Sequence, residues 1–533
     1  RIAALHEASA NLKKEKEEIE ADLLPLRTER DAALQRIEEA RAAEARAAVL
    51  AQEIERLKKE QDELVRGRET AVARNVAELE TKQSELESVR DDLSQARSEL
   101  QGAKSRRDEL RDEVVKLQAA VAILQGEAKG TPTDTSLLLD DLRQAPACLA
   151  SPRITGKAPK LESEALGAVR QYLTRHGLEY DSRTLNAFHT CLKINDHSQI
   201  TVLAGVSGTG KSLLPRRYAE AMGIHFHQIA VEPRWDSPQD LLGFYNYIER
   251  KYRATDLARL LVYMDHYRTV PLPKDSEDRS DHMALVLLDE MNLARVEYYF
   301  SEFLSRLEVR PRLHEVEDQD RRKNALIPVD IRGYATSVTL FPSHNVLFAG
   351  TMNDDESTQA LSDKVLDRGN ILQFAAPSKF QQPEKRQTPS PSNEALNAKA
   401  WAGWIRQSAN LNDKLEVVDG YIERLARIMD ECGKPFGHRL RDSILSYVAN
   451  HPHTYSDAKD LRIAVVDQIE LRILPKLRGL EIAGHDPVLD QLANLIRSEL
   501  GDGVLADRFQ EIREKQRTGT GLFVWRGMSR QDG

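Results

Sequence analysis

One stretch constrains the fold of this 533-residue chain more than any other. Residues 200–204, ITVLA, form an apolar run of strand length and lead directly into Gly205-Val206-Ser207-Gly208-Thr209-Gly210-Lys211-Ser212. Glycines spaced in this way let backbone N–H groups curl inward around an anion, and a helix starting just beyond adds its N-terminal dipole. The order GxxxxGK(S/T) between a strand and a helix therefore predicts a phosphate loop. In such a loop Lys211 reaches the β- and γ-phosphates of a nucleotide, and Ser212 ligates Mg²⁺.

A second apolar run, residues 284–288, ends abruptly in Asp289 and Glu290. A helical pattern follows, with Val296, Phe300, Phe303, Leu304 and Leu307 on one face. Either acid alone is compatible with a strand meeting solvent. A phosphate loop, however, needs a carboxylate on a neighbouring strand to hold Mg²⁺ and a second group to orient the attacking water. Asp289 fits the first role and Glu290 the second. A third run, residues 345–350, ends in Thr351-Met352-Asn353, which brings a side-chain amide toward the same phosphates. With further runs at 226–231 and 371–374, short strands alternate with helices throughout this region, the pattern of a parallel α/β sheet.

The N-terminal part is different. Proline is absent between Pro25 and Pro132, and a heptad repeat runs through Val72, Leu79, Leu86, Leu93 and Leu100, with Val89, Ala96, Ala103, Leu110, Leu117 and Leu124 on the companion seam. That is coiled-coil patterning, and Asn75, Lys82 and Arg107 are polar exceptions that restrict register and partner. An earlier repeat runs through Leu5, Leu12, Ile19 and Leu26 and again through Leu50, Leu57 and Leu64, and the phase slips near Gly67. Two arrangements fit: a rod about 190 Å long at 1.5 Å per residue, or an antiparallel hairpin turning at Gly67. The expected organisation is a coiled coil at 1–125, a linker at 126–160 with one short helix around 137–142, an α/β nucleotide-binding domain at 161–378, a Pro-rich linker at 379–395, and a helical lid with a C-terminal tail at 396–533.

A net charge of −9 gives no global attraction to nucleic acid. Cys148, Cys191 and Cys432 lie far apart, without metal-type spacing, as in reduced thiols of a cytoplasmic protein. No apolar run approaches the ~20 residues that span a bilayer. No signal-peptide pattern precedes the first helix, and the missing initiator Met is what a fragment of a longer chain would show.

Taken together, the phosphate loop, Asp289-Glu290 and Asn353 resemble the AAA+ superfamily. Within it, LAGVSGTGKS, PRWDSPQDLLGFYNYIE, LLDEMNLARVEYYFSEFLSRLE and FAGTMNDDESTQALSDKVLDRGN resemble McrB-like motor subunits of modification-dependent restriction systems, over about residues 161–480. The resemblance implies a sheet of order 5-1-4-3-2, a helical lid and a hexameric ring with nucleotide between subunits. It makes Asn353 the first sensor and Arg368 a finger reaching the neighbour's nucleotide. A surface ion pair of Arg368 with Asp363 or Asp367 is the alternative. Arg439, in Pro435-Phe436-Gly437-His438-Arg439, resembles the second sensor. The charged segment from Arg310 to the strand-like residues 327–334 is either the hairpin insertion of the McrB/MoxR-like branch or a solvated loop. Trp235 would either stack on a threaded substrate or pack in the core.

The best-studied members carry MNxxD and use GTP, whereas Glu356 stands here at the position of that Asp, so ATP is expected to serve at least as well. No nuclease motif of the PD-(D/E)xK type is present, so cleavage would fall to a separate McrC-like partner, with DNA engaged through that partner or the coiled-coil arm. A MoxR-like or dynein-related ATPase remodelling protein complexes is the second possibility. A coiled-coil scaffold with a degenerate nucleotide switch would need a missing catalytic group, and none is missing.

Overall fold

The computed structural model describes residues 1–22 and scattered positions between 25 and 82. It then describes 138–150, 154–155, 161–246, 249, 251–329, 331, 338–353, 361–375, 389–452, 454 and 458–528. The chain divides into two compact units, Arg1–Pro132 and Thr133–Gly533.

In the first unit, residues 2–22 are one helix, rich in Ala, Leu, Glu and Lys and free of Gly and Pro. Leu5, Leu12 and Ile19, spaced by sevens, are each more than half exposed. The expected seam over 72–124 lies outside the described residues.

The second unit is built on five parallel strands: β1 (Ile200–Gly205), β2 (His225–Ala230), β3 (Ala284–Asp289), β4 (Val346–Asn353) and β5 (Gly369–Phe374). They lie in the order β5-β1-β4-β3-β2. Successive side chains on a strand face opposite ways. Leu203, Leu285, Leu287, Leu347 and Leu372 enter one core, shared with the C-terminal helices. Val202, Val286, Leu288, Phe348 and Ile371 enter the other. Both faces are apolar and covered, which is why these strands read as continuous hydrophobic runs. The register sets Gly205 beside Asn353 on one side and Phe374 on the other, so the functional strand ends fall in one row.

Several expectations need correction. Strand β4 runs on through Thr351 to Asn353 instead of stopping at Gly350. The segment expected as a linker at 126–160 is folded where it is described. Leu138, Leu139, Leu142 and Leu149 are buried against the sheet. The Asp141 carboxylate accepts from Arg259 Nη2 at 2.6 Å and from the Ala254 amide at 2.9 Å. Ile154–Thr155 pairs in parallel with Glu394–Ala395, so both expected linkers contribute a strand. Pro, Gly and polar residues mark turns, but they do not report partners more than a hundred residues away.

The pattern after Glu290 forms two helices, Val296–Tyr299 and Ser301–Glu308, interrupted at Phe300, with the predicted apolar face buried. Trp235 is half-buried and meets Tyr299 edge-to-face at 5.3 Å, a packing role. The segment after Arg310 includes a helix, Gln319–Ala325, and an antiparallel pair, Ile327–Val329 with Val338–Leu340. The C-terminal helices include Lys414–Glu431, His438–Asn450, Ile482–Asn494 and Gly503–Thr518. Among the described residues no helix is long and apolar enough to cross a membrane.

Candidate functional site

The carboxyl ends of β1, β3 and β4 meet at the loop that follows β1. Gly205, Gly208 and Gly210 have φ of 141°, 82° and 85°, a region that L side chains rarely enter. At Gly210 a Cβ would also lie 2.7 Å from the Tyr180 hydroxyl, which donates to the Gly210 carbonyl at 2.9 Å. Val206, Ser207 and Gly208 are exposed at the tip, and Thr209 Oγ1 donates to the Val206 carbonyl. Lys211 is buried with Nζ on the carbonyls of Gly205 and Val206, at 2.9 and 2.6 Å. Helix Leu213–Met222 begins immediately after Ser212.

Around Asp289 the donors are neutral. Its Oδ1 accepts from Ser212 Oγ at 2.8 Å and from Thr351 Oγ1 at 2.6 Å, and its Oδ2 accepts from Gln228 Nε2 at 2.7 Å. Glu290 has φ 53°, one of two non-glycine residues with positive φ among those described. An L-residue held there costs roughly 1–2 kcal/mol. Its amide donates to Thr351 Oγ1 at 2.9 Å, and its Oε1 accepts from Asn353 Nδ2 at 3.2 Å. Asn292 Nδ2 in turn holds the Asn353 carbonyl at 2.9 Å. The Glu290 carboxylate is thereby turned out of the strand line and toward the amide of β4.

A cleft of about 970 Å³ opens beside the loop. Gly208–Gly210 form one end, and Leu178, Tyr180, Arg183, Leu471 and Met528 line it farther out. Burial pushes the Tyr180 phenol well above its usual range. Burial lowers the Arg183 guanidinium, but Asp467 and Asp502 outweigh it and drive the group upward. Arg183 contacts Asp467 at 2.5 Å and Asp502 at 2.6 Å, tying this wall to the C-terminal helices.

The remaining predicted residues lie elsewhere. Arg368 directly precedes β5, whose first residue pairs with Ile200 while its last pairs with Gly205. At roughly 3.3 Å per residue, the six-residue strand sets Arg368 about 20 Å from the phosphate loop of its own chain. Its Nη2 contacts Glu308 Oε2 at 2.8 Å. Arg439 meets the other oxygen of the same carboxylate. The ion pair of Arg368 is therefore with Glu308 and not with Asp363 or Asp367. Asp367 is held instead by Lys476 at 2.5 Å, and its carbonyl by Arg472 at 2.6 Å.

Lys211, Ser212, Asp289, Glu290 and Asn353 are thus brought together, while Arg368 and Arg439 form a separate group. Glu356 lies outside the described residues. Sequence reasoning missed Gln228, Asn292, Tyr180 and Glu308 as partners and named Thr351 only as part of a strand end. Nothing in the sequence singles out Gln228, because His227 beside it is equally polar.

Hard oxygen donors at Ser212 and Asp289, 2.8 Å apart, suit Mg²⁺ better than a softer metal. Among the described residues no cluster of three or more His, Cys, Asp or Glu could hold a metal ion.

Residues 394–519 match a protein family described as a domain of unknown function, DUF8727. No curated protein matches the chain. One similar solved structure, from Cytophaga hutchinsonii and described as a "putative ATPase", is 15% identical with a TM-score of 0.35, covering 58% of this chain and 88% of that one.

Proposed function

We propose that this chain is an Mg²⁺-dependent P-loop nucleoside triphosphatase of the AAA+ kind whose active sites are shared between copies in a ring, with a hexamer expected. One observation carries this: Arg368 sits at the end of the sheet opposite Lys211, about 20 Å away, too far for a single chain to place both on one phosphate. Ring assembly, which sets the finger of one copy against the loop of the next, removes that difficulty.

In this assignment the loop Gly205–Val206–Ser207–Gly208–Thr209–Gly210 wraps the phosphates and Lys211 holds the β- and γ-groups. Ser212 and Asp289 would hold Mg²⁺, which when bound neutralises charge on the transferring phosphoryl group. Glu290 orients the attacking water, and Asn353 fixes its carboxylate through the 3.2 Å contact. Arg368 supplies positive charge in the neighbouring site, and Arg439, on the same acid, is delivered to the same boundary.

At the finer level we assign the chain to McrB-like motors, driving a separate McrC-like nuclease on DNA, with ATP accepted at least as well as GTP and the N-terminal heptads forming a coiled-coil arm. The motifs quoted above support that assignment. A MoxR-like ATPase acting on protein is the alternative, and DNA-dependent stimulation of hydrolysis separates the two.

The shared site is tested by mixing. Arg368→Ala and Lys211→Ala proteins should each be inactive, while their mixture regains part of the wild-type turnover, because some boundaries pair an intact loop with an intact finger. If no mixing ratio restores turnover, the shared site is refuted.

A further inference from the structure

Beyond the phosphate-binding residues, one element reaches the cleft from an unexpected direction. The C-terminal tail is anchored among the helices that follow the sheet. Phe523 is fully buried, its amide donates to the Leu480 carbonyl at 2.8 Å, and its own carbonyl accepts from Gly479 at 2.8 Å. Gln516 brackets Val524, its side chain donating to the carbonyl and accepting from the amide, both at 2.8 Å. From this anchor the tail crosses to the sheet, where Met528 forms a parallel bridge with Phe374 at the end of β5.

The register makes that bridge informative. Phe374 pairs with Gly205, the first residue of the phosphate loop, on its inner side and with Met528 on its outer side. Two strand spacings of about 4.8 Å therefore separate Met528 from the start of the loop by roughly 10 Å. Met528 is buried and lines the cleft together with Leu178 and Leu471, apolar members of a wall that also carries Glu179, Arg183 and Glu470. Gly527 permits the approach: its φ is 72°, and a Cβ there would lie 2.6 Å from the Gln373 carbonyl oxygen.

We propose that the tail forms the outer wall of a nucleoside subsite, with Met528 packing against the base or ribose of a nucleotide whose phosphates occupy the loop. The assignment rests on the phosphate-loop function proposed above. Cleft volume agrees with it: about 970 Å³ lies within the range of small-molecule sites. Because the same tail is fastened both to the C-terminal helices and to the edge of β5, it also couples the position of those helices to the closure of this wall.

The test compares two ligands on the full-length chain by calorimetry in the presence of Mg²⁺: the β,γ-imido analogue of ATP, and inorganic tripolyphosphate, which has no nucleoside. Met528→Trp fills the subsite and should raise the Kd of the analogue at least tenfold while leaving tripolyphosphate within twofold. Gly527→Ala, which drives the tail off β5, should weaken the analogue several-fold with the same selectivity. Unchanged analogue binding in both variants overturns the assignment. If Met528→Trp weakens both ligands alike, the smaller Met528→Ala decides: selective loss of the analogue upholds the wall, and no selective loss rejects it. Wild-type protein that binds neither ligand would instead refute the phosphate loop itself.

Discussion

At the carboxyl end of the sheet two acids are held by neutral donors, whereas at its amino end two arginines share one acid. Asp289 receives Ser212, Thr351 and Gln228, and Glu290 receives Asn353, so neutral donors hold both carboxylates in place. Glu308 receives both Arg368 and Arg439, two guanidiniums on one carboxylate. Neutral hydroxyls and amides hold the first group, and long guanidinium stems carry the second. A preorganised acidic site is suited to gripping a metal–phosphate complex, while two cations on one acid are suited to being offered to a different molecule. Each end has what the other lacks.

The largest expected effect breaks this complementarity outright. Arg368→Ala should lower turnover by about 10³ with the affinity of its own loop for nucleotide unchanged, as measured by steady-state hydrolysis beside equilibrium binding. A parallel loss of affinity would place the arginine's role inside its own chain. Glu290→Gln comes next: turnover should fall by about 10²–10³ while binding persists, and hydrolysis near wild type would remove the acid from its assigned role. Thr351→Val tests whether the neutral donors matter, because it strips hydrogen bonds from both Asp289 and Glu290 without touching a charge. About tenfold slower turnover at unaltered nucleotide affinity is expected. An unaffected rate would show that the acids hold their positions unaided. Smallest is Glu308→Gln, which releases both arginines: thermal or urea unfolding should register no more than about 1 kcal/mol, and turnover should move only a few-fold. A loss as large as that of Arg368→Ala would mean that the acid, and not the arginines, does the work at that end.

Much of the candidate site's position was legible in the sequence because its residues sit at strand termini, and strands announce themselves by unbroken apolar runs such as residues 284–288. Lys211, Ser212, Asp289, Glu290 and Asn353 could each be located from the strand that precedes them. Gln228 and Glu308 could not. Their roles come from register and helix orientation: Gln228 is level with Leu287 across the β2–β3 pairing, and Glu308 ends a helix that runs back along the sheet to meet Arg368. The same limit hid Asp141, whose surroundings look like a linker until Arg259, 118 positions later, supplies its partner. Periodicity reports what a segment does with its neighbours along the chain, and long-range ion pairs leave no periodic trace.

The left-handed backbone at Glu290 has a consequence for anyone who selects or designs variants of this chain. Glycine there would relax a strain of roughly 1–2 kcal/mol, and the hydrogen bond it would forfeit from Asn353 is exposed and therefore weak. A library screened for heat resistance alone would enrich Glu290→Gly, and an automated redesign that scores backbone comfort would favour it too. Both routes would deliver a sturdier molecule without the group proposed to orient water. Position 290 should therefore be held fixed in any stabilisation campaign, as a place where folding preference and use pull in opposite directions.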